Sequence, residues 1–403
     1  DRESLHVALA DQAICIGGPK AEDSYLNGPR ILSAAMYTGA QAIHPGYGFL
    51  AENRDFADQC QRMGIKFIGP GAEIIAKMGD KDAARRLMKE NSVPTTPGTD
   101  ILRDSQEALK AAEEIGYPVM LKASAGGGGK GIRLVERPQD MERAFETASS
   151  EALKAFGDGR MYLEKYLHPV KHIEVQLLAD EAGHIVCLGE RECSIQKNNQ
   201  KLIEESPSPG VSPETRQKLM ETATRAARAA GYVNAGTVEF LMDKNGDFYF
   251  MEMNTRLQVE HPVSELVTGV DIVKWQIRIA AGVELDFTQE DIHVQGAAIE
   301  CRINALGPGK VDFFHTPGGP WVRFDTFLYQ GYEIPPYYDS MLGKMIVYSS
   351  TREEAIRKML SALSELVVDG AKNNIETQIE IIRDKRFKNG DYYTDFMKDF
   401  GKR

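Results

Sequence analysis

Two acidic residues beside a predicted turn are the clearest sign of chemistry in this sequence. Strand-like runs flank Asn245-Gly246, a dipeptide that favours a β-hairpin because both residues tolerate a positive φ angle. A hairpin that closes symmetrically on this dipeptide pairs Glu239 with Glu252 and places Asn254 on the same face. Since like charges repel across a hairpin, we expect a cation between the two acids. Two carboxylates and an amide oxygen suit Mg²⁺ bridged to phosphates. Two acids on a solvated strand face are the alternative.

Polar residues continue the alternation beyond the second of these runs. If the strand stays extended, five polar side chains share one face: Glu252, Asn254, Arg256, Gln258 and Glu260. The planar guanidinium of the arginine could bind a small oxyanion, and a neighbouring carboxylate could accept a proton from that ion. The alternative is an edge strand whose surface carries salt bridges.

A glycine-rich segment at residues 125–131 lies between two further strand-like runs. It is neither a Walker A loop nor a dinucleotide fingerprint, because no helix follows it and Ile132 stands where Ser or Thr would hold Mg²⁺. Its bare amides could instead close over a polyphosphate. Lys122, at the end of the preceding apolar run, could bind the same phosphates, whereas a flexible surface hairpin is the alternative.

The composition is that of a globular protein with two or three domains. The chain has 403 residues, of which 42% are hydrophobic and 27% are charged. A net charge of −11 argues against non-specific nucleic-acid binding. The five cysteines form no CxxC pair, which indicates reduced thiols. No apolar run is long enough to span a membrane, and the acidic start is unlike a signal peptide. We therefore expect a cytoplasmic protein without nucleic-acid or membrane partners.

Alternating helical and strand-like patterns must position these residues. Residues 1–78 read as short β and α pieces of a parallel layer, with strands at residues 13–16 and 66–68. The glycine-rich segment follows a helix over residues 105–115 and a strand. A mainly β region after it contains one long helix over residues 213–230.

Motifs along the whole chain resemble those of biotin carboxylase, the ATP-grasp component of acetyl-CoA carboxylase and related biotin-dependent carboxylases. In this order they are highly specific. The motifs are His44-Pro-Gly-Tyr-Gly-Phe-Leu50, Met78-Gly-Asp-Lys81, Lys122 with its glycine loop, Glu164-Lys-Tyr-Leu167, Gly189-Glu-Arg-Glu-Cys-Ser-Ile-Gln196, Gln200-Lys201, Glu252-Met-Asn-Thr-Arg-Leu-Gln-Val-Glu-His-Pro262, Glu300-Cys-Arg302-Ile-Asn304 and Pro335-Pro-Tyr-Tyr-Asp-Ser340.

The resemblance implies an α/β and α+β architecture, in which a Rossmann-like domain precedes an ATP-grasp fold and a β-rich C-terminal domain follows it. The family opens with a β-α-β unit before the region that matches Asp1, so we expect the first domain to lack that unit. The implied segments are a Rossmann-like domain (1–78), a linker helix (79–95), a lid with the glycine loop (96–167), a catalytic subdomain (168–296) and the C-terminal domain (297–403).

The resemblance also implies a two-step reaction. ATP phosphorylates bicarbonate to carboxyphosphate, and biotin on a carrier protein is then carboxylated at a ureido nitrogen, as in the first half-reaction of acetyl-CoA carboxylase in fatty acid synthesis. The cofactors would be ATP with Mg²⁺ or Mn²⁺. The partners would be a biotin carboxyl carrier protein, carboxyltransferase subunits and a second copy in a homodimer. Alternatives are a pyruvate or propionyl-CoA carboxylase component, a carbamoyl-phosphate synthetase half, or a nucleotide-binding form without turnover.

By the same resemblance, nucleotide and metal ligands can be assigned to individual positions. The ATP ligands would be Lys81, Lys122, Gly127, Gly128, Gly129, Gly131, Glu164, Lys165, Leu167, His172, Gln196 and Leu241. The metal ligands would be Glu239, Glu252 and Asn254, in agreement with the hairpin argument.

The resemblance further implies two sets of substrate ligands. Bicarbonate would contact Lys201, Arg256, Gln258, Val259 and Glu260, and biotin would contact Tyr47, Arg302 and Asp339. Among the catalytic residues Lys201, Arg256, Glu260 and Arg302, the carboxylate would deprotonate bicarbonate and Arg302 would stabilise the biotin enolate.

The sequence departs from the family pattern in two further places. Residues 306–309 replace a longer loop, and Asn198 and Asn199 stand where basic residues or histidine are frequent. The sequence contains no Ala-Met-Lys-Met biotinylation tetrapeptide. We therefore expect the biotin acceptor on a separate polypeptide or domain.

Overall fold

The computed structural model describes residues 1–124, 131–198 and 200–401. The predicted phosphate ligands Gly127, Gly128 and Gly129 lie outside these residues.

The first segment contains a small parallel layer. Strand β1 pairs with β2 in parallel, as the alternation of short β and α pieces predicts. The strand predicted at residues 13–16 is wrong: these residues are mostly exposed, and no strand in the described part of the chain pairs with them. The elements are α1 (Leu5–Leu9), α2 (Gly28–Thr38), β1 (Ala42–Ile43), α3 (Arg54–Arg62), β2 (Lys66–Phe67), α4 (Ala72–Gly79) and α5 (Lys81–Glu90).

A second layer forms one wall of the site. Strands β4, β3 and β5 make an antiparallel sheet, against which two helices pack. Side chains of β3 alternate, so that Val119, Leu121 and Ala123 are buried in the core while Met120 and Lys122 face the other way. The elements are α6 (Ser105–Ile115), β3 (Val119–Ala123), β4 (Ile132–Val135), α7 (Met141–Phe156) and β5 (Met161–Lys165).

A large antiparallel sheet forms the other wall. Within the described residues it has eight strands, in the order β10-β9-β6-β7-β8-β11-β16-β14. One face of its first strands packs on α8, and the opposite face carries polar side chains. The elements up to the central strands are β6 (Val170–Ala179), β7 (Ile185–Lys197), β8 (Gln200–Ser206), α8 (Pro213–Ala230), β9 (Asn234–Asp243), β10 (Phe248–Asn254), α9 (His261–Thr268) and α10 (Ile272–Ala280).

The same sheet continues into the last segment of the chain, because β8 pairs with β11. The division proposed at residue 296 therefore lies between neighbouring strands of one sheet. The remaining elements are β11 (Ala297–Asn304), β12 (Gly309–Lys310), β13 (Phe313–His315), β14 (Val322–Thr326), β15 (Glu333–Ile334), β16 (Met341–Ser349), α11 (Arg352–Glu365), β17 (Val367–Asp369), α12 (Ile375–Arg383), α13 (Lys385–Asn389) and α14 (Phe396–Asp399). Among the described residues, no helix is both long and apolar enough to cross a membrane.

The hairpin of β9 and β10 pairs Glu239 with Glu252, as predicted, but by a different route. Near the turn the register is shifted by one residue from the symmetric one, so that Phe250 pairs with Phe240. A bulge at Met251 then restores the predicted register for the rest of the hairpin. The two acids therefore face each other only because of this irregularity.

Candidate active site

A cavity of about 910 Å³ lies between the lid layer and the large sheet. Its size is within the range of pockets that hold cofactors. Every predicted site residue in the described part of the chain lines it, with the exception of Gly131. That glycine has φ +70°, and a Cβ atom there would lie 2.8 Å from the Ala123 Cβ, so its place is a tight contact between β3 and β4.

A row of charged residues leads from the lining of the cavity into the buried part of the sheet. Glu252, Glu239, Glu174 and Arg191 are in register across β10, β9, β6 and β7. The row exists because side chains on paired strands alternate together, so one polar position on each strand reaches the same face. The Arg191 side chain is fully buried, and its Nε donates to Glu174 over 2.5 Å. Glu174 and Arg191 were not predicted as site residues, although Glu174 follows His172 at the spacing of one strand face.

Lys201 connects three of the acids. Its ammonium donates to Glu174 Oε2 over 2.6 Å, to Glu239 Oε1 over 3.1 Å and to Glu260 Oε1 over 2.6 Å. Burial would lower the pKa of Lys201, but the three carboxylates outweigh it and raise that pKa well above its ordinary value. Lys201 is therefore a permanent cation at the centre of the site.

Glu260 lies between two cations. Its second oxygen, Oε2, accepts a hydrogen bond from the Arg302 guanidinium over 2.9 Å. Burial would raise the pKa of Glu260, but Lys201, Arg302 and Arg191 hold it well below the usual range. The carboxylate is therefore ionised, and it joins the lysine to the arginine.

The polar stretch after β10 is not extended, which corrects the prediction of one continuous strand face. The strand ends at Asn254, and a turn follows it. Polar side chains still converge: Arg256 donates to Gln258 Oε1 over 2.9 Å, and Gln258 Nε2 donates to Glu239 Oε1 over 2.9 Å. Glu52 from the first segment, which was not predicted, contacts the Arg256 Nε at 2.9 Å.

The donor set of the hairpin suits a hard divalent cation. Glu239 and Glu252 face each other, and Asn254 donates from Nδ2 to Glu239 Oε1 over 2.8 Å. Burial would raise the pKa of Glu239, but Lys201 and His172 outweigh it and keep that pKa below its ordinary value. Ionised carboxylate and amide oxygens are ligands that Mg²⁺ accepts.

A second group of possible metal ligands lies beside the hairpin. Ligand atoms of His172, Glu174 and Glu239 lie within 4.8 Å of one another. The Lys201 ammonium donates to both of these carboxylates, so a cation already lies where a metal ion would bind this group. The cross-strand pair of acids is the better cation site.

Two lysines project into the cavity from opposite walls. Lys81 begins α5, whose first turn is capped by the Asp80 carboxylate, and its Nζ lies 3.5 Å from Glu252 Oε2. Lys122 projects from β3 and pairs with Glu164 of β5. Two ammonium groups near the hairpin acids fit a polyphosphate bound between the walls.

At the other end, the cavity is closed by the first and last segments. Tyr47 and Asp339 line it there, near Arg302. The Lys344 ammonium lies 5.6 Å from the centre of the Tyr47 ring and donates to the Val259 carbonyl over 2.7 Å.

Family models match nearly all of this architecture. The biotin carboxylase N-terminal domain matches residues 1–75, and the biotin carboxylase C-terminal domain matches residues 300–399. Between them, the ATP binding domain of the carbamoyl-phosphate synthase L chain matches residues 80–288. The chain belongs to the biotin carboxylase family. It is therefore an ATP-dependent ligase that carboxylates biotin, with ATP and Mg²⁺ as cofactors.

Individual relatives are similar to this chain over nearly its whole length. Biotin carboxylase 1 of Bacillus subtilis (strain 168) is 49% identical over 410 residues, which cover 99% of this chain and 91% of the relative. The crystal structure of a biotin carboxylase–β,γ-ATP complex from Campylobacter jejuni has a TM-score of 0.96 at 48% identity and covers 99% of this chain and 91% of that one.

A third relative was solved with ligands. The biotin carboxylase domain dimer of Hydrogenobacter thermophilus 2-oxoglutarate carboxylase, in complex with MgADP, ADP and bicarbonate, has a TM-score of 0.94 at 49% identity. It covers 99% of this chain and 90% of that one. Members of the family thus occur as parts of larger carboxylases.

Buried His261 predicts a pH-dependent stability. Its Nδ1–H donates to the Gln258 carbonyl over 2.8 Å, and burial lowers the pKa of His261 to about 3. Below about pH 6.5 the unfolded chain binds one proton more than the folded chain at this position, so stability falls as the pH falls. Between about pH 6.5 and about pH 5 the loss is about 2 kcal/mol.

Urea unfolding of the wild type and of His261→Phe at about pH 5 and about pH 7 measures this loss. The variant should lose less stability on acidification than the wild type, whatever the difference between their free energies of unfolding at neutral pH. His293→Phe, on the exposed loop before β11, is the matched control. Parallel pH profiles for the wild type and His261→Phe would contradict the assignment.

Proposed function

We propose that the chain carboxylates biotin on a carrier protein through carboxyphosphate, as the first half-reaction of acetyl-CoA carboxylase. One observation carries the proposal: the ionic series Glu239, Lys201, Glu260, Arg302 runs without interruption through a single cavity. It joins the cation site of the hairpin to the end that Tyr47 and Asp339 close. Such an arrangement can hold two successive reactions on adjacent substrates.

The phosphate end would bind MgATP. Glu239 and Glu252 with Asn254 would hold Mg²⁺, while Lys81 and Lys122 would bind phosphate oxygens. Bound Mg²⁺ supplies positive charge that neutralises the phosphates. Lys122 would exchange its partner Glu164 for the nucleotide.

The adenine would bind at the lid hinge, where several predicted residues line one end of the cavity. This end is lined by Glu164, Lys165, Leu167, His172, Gln196 and Leu241. Gln196 Nε2 lies 2.9 Å from the His172 Nδ1, so the two side chains are held together before the nucleotide binds. The backbone amide of Gly131 would bind a phosphate oxygen.

Bicarbonate would bind between Lys201 and Arg256, with Gln258 and the Val259 backbone beside it. Glu260 would take the bicarbonate proton, and the resulting oxyanion would attack the γ-phosphorus as ADP leaves. In the present arrangement the low pKa of Glu260 makes it a weak base. Once Lys201 turns to bicarbonate, Glu260 loses part of the charge that lowers its pKa, and it becomes a stronger base.

Biotin would bind at the far end, between Tyr47, Asp339 and Arg302. Its ureido nitrogen reacts as an enolate-like anion, which needs a fixed positive charge nearby. Arg302 provides that charge, since its guanidinium stays protonated at every working pH. The carboxyl group would then pass from carboxyphosphate to this nitrogen, and phosphate would be released.

The partners proposed for the chain are a biotin carboxyl carrier protein, carboxyltransferase subunits and a second copy of itself. The dimer of the 2-oxoglutarate carboxylase domain supports the last of these. The five cysteines are free thiols, which supports a reducing compartment such as the cytoplasm.

The second candidate function is that the chain is the biotin carboxylase component of an enzyme that carboxylates another acceptor, such as pyruvate, propionyl-CoA or 2-oxoglutarate. The similarity to the biotin carboxylase domain of 2-oxoglutarate carboxylase supports this second candidate. A carbamoyl-phosphate synthetase half is not supported, since both flanking family models are those of biotin carboxylase.

ATP hydrolysis by the purified chain tests the proposal. With Mg²⁺ and bicarbonate we expect ADP release that stops without bicarbonate and rises when free biotin is added, because biotin draws off carboxyphosphate. Colorimetric phosphate release measures it, with Mg²⁺ omitted as the control. Binding of ATP without bicarbonate-dependent turnover would contradict the proposal and indicate a form without catalysis.

A further inference from the structure

Glu300 is a fully buried acidic residue of the large sheet. It lies in the middle of β11, its side chain is fully buried, and neither carboxyl oxygen has a hydrogen-bond partner among the described residues. It pairs directly with Glu204 across β8 and β11, so the two side chains project to one face at neighbouring positions. Glu204 Oε2 is also buried and has no hydrogen-bond partner in the described part of the chain.

The other oxygen of Glu204 binds Arg302. The guanidinium Nε donates to Glu204 Oε1 over 2.6 Å, and a terminal nitrogen lies 2.5 Å from the same oxygen. Glu260 binds Arg302 from the cavity side. Arg302 is therefore held between two carboxylates, of which Glu204 lies next to Glu300.

An ionised Glu300 would be a buried charge to which no cation in the described part of the chain donates a hydrogen bond. The charged and titratable groups that interact with it are Glu204, Cys301, Arg302, Lys344, Glu260 and Tyr47. Lys201 and Arg302 both bind Glu260, and Arg302 also binds Glu204, so these two cations already have acidic partners. Lys344 donates to the Val259 carbonyl and not to Glu300. A buried carboxylate without a cation or a donor is strongly unfavourable, so one acid must be neutral.

We infer that Glu300 keeps its proton at neutral pH and donates it to Glu204 Oε2, so that Glu204 holds Arg302 in place. One hydrogen bond then gives a partner to Glu204 Oε2 and to one of the two Glu300 oxygens. Burial raises the pKa of Glu300 to about 8 against the attraction of Lys344, and Glu204 adds to the rise. Burial also raises the pKa of Glu204, to about 7, against the attraction of Arg302. The two groups share one proton across neutral pH.

Glu300 is then a positioning residue for the biotin step, an inference that rests on the role proposed for Arg302. Above about pH 8 the second carboxylate ionises. The extra negative charge competes with the biotin anion for Arg302, so biotin carboxylation should decline there while bicarbonate-dependent ADP release changes less.

Infrared spectroscopy of the intact protein with ¹³C-labelled glutamate tests the proton directly. We expect the C=O stretch of a protonated carboxyl group at neutral pH, which disappears near pH 8 and is lost in Glu300→Gln. Glu353→Gln, on the exposed face of α11, is the control and should keep the band. Absence of the band in the wild type, or its persistence in Glu300→Gln, would overturn the inference.

Two variants test the positioning role. Glu300→Gln can still donate to Glu204 from its amide, whereas Glu300→Leu cannot. We expect Glu300→Leu to lose about tenfold in biotin carboxylation, as for one hydrogen bond, and to keep most bicarbonate-dependent ADP release. Glu300→Gln should lose less and should lack the decline at alkaline pH. Equal losses in both variants, or an unchanged alkaline decline in Glu300→Gln, would overturn the role.

The infrared measurement needs no substrate, so its outcome separates this inference from the proposed function. If the band behaves as expected but the wild type does not carboxylate biotin, the proposed function is wrong and the assignment of the proton stands.

Discussion

Glu260→Gln is expected to lower bicarbonate-dependent ADP release and biotin carboxylation together, by about 10²–10⁴-fold. The glutamine keeps the shape and can still accept from Lys201, but it cannot take the bicarbonate proton. Both activities fall because carboxyphosphate formation precedes the biotin step. Steady-state rates at saturating ATP and bicarbonate measure the loss.

The control for this variant is Glu265→Gln in α9, five residues further along the chain. Glu265 is also largely buried and accepts from Arg323 over 3.0 Å, but it does not line the cavity. It should retain turnover, and both variants should bind MgATP in calorimetry. Bicarbonate-dependent ADP release by Glu260→Gln within about tenfold of the wild type would exclude the general-base role.

Helix boundaries in this fold could be predicted because their signals are local. The helices α6 and α8 begin and end where the sequence predicts. Asp104 caps the first turn of α6, Ser212 caps that of α8, and Gly231 ends α8 in the left-handed conformation. The strand predicted at residues 13–16 failed because an apolar run forms a strand only where a neighbouring strand can pair with it.

The hairpin shows how a correct prediction can rest on incomplete geometry. The pairing of Glu239 with Glu252 depends on a bulge at Met251, which the turn sequence does not encode. Phe250 donates its backbone N–H to the Pro94 carbonyl over 2.7 Å, so the linker before the lid binds this strand beside the bulge. Such a long-range contact leaves no pattern near the turn.

The site residues that were not predicted also depend on contacts between parts of the chain that are distant in sequence. Glu174, Arg191, Glu204 and Glu300 reach the site through register between strands that are distant in sequence. Alternation on a single strand shows which residues share a face. It does not show which strand lies beside it, and therefore not which charge meets which. The resemblance supplied ligands that touch substrate, whereas these residues act on those ligands.

Arg302→Ala should separate the two half-steps of the reaction. Biotin carboxylation is expected to fall by about 10²–10³-fold, as when a group that stabilises a developing anion is removed. Bicarbonate-dependent ADP release should fall by about tenfold or less, because Arg302 also donates one hydrogen bond to Glu260. Carboxybiotin formation from labelled bicarbonate and ADP release, measured in parallel, give the two numbers.

Removing Arg302 leaves Glu204 buried without its cation, so stability must be measured alongside activity. Arg302→Lys keeps a charge and tests the need for the planar fork. The matched control is Arg352→Ala, which removes the guanidinium bound to Glu205, the next residue of β8, whose side chain projects to the opposite face. Arg352→Ala should lower the free energy of unfolding but leave the ratio of biotin carboxylation to ADP release unchanged. Equal losses of both activities in Arg302→Ala would instead assign this arginine to phosphate or bicarbonate, because only a contact with biotin can impair the second step alone.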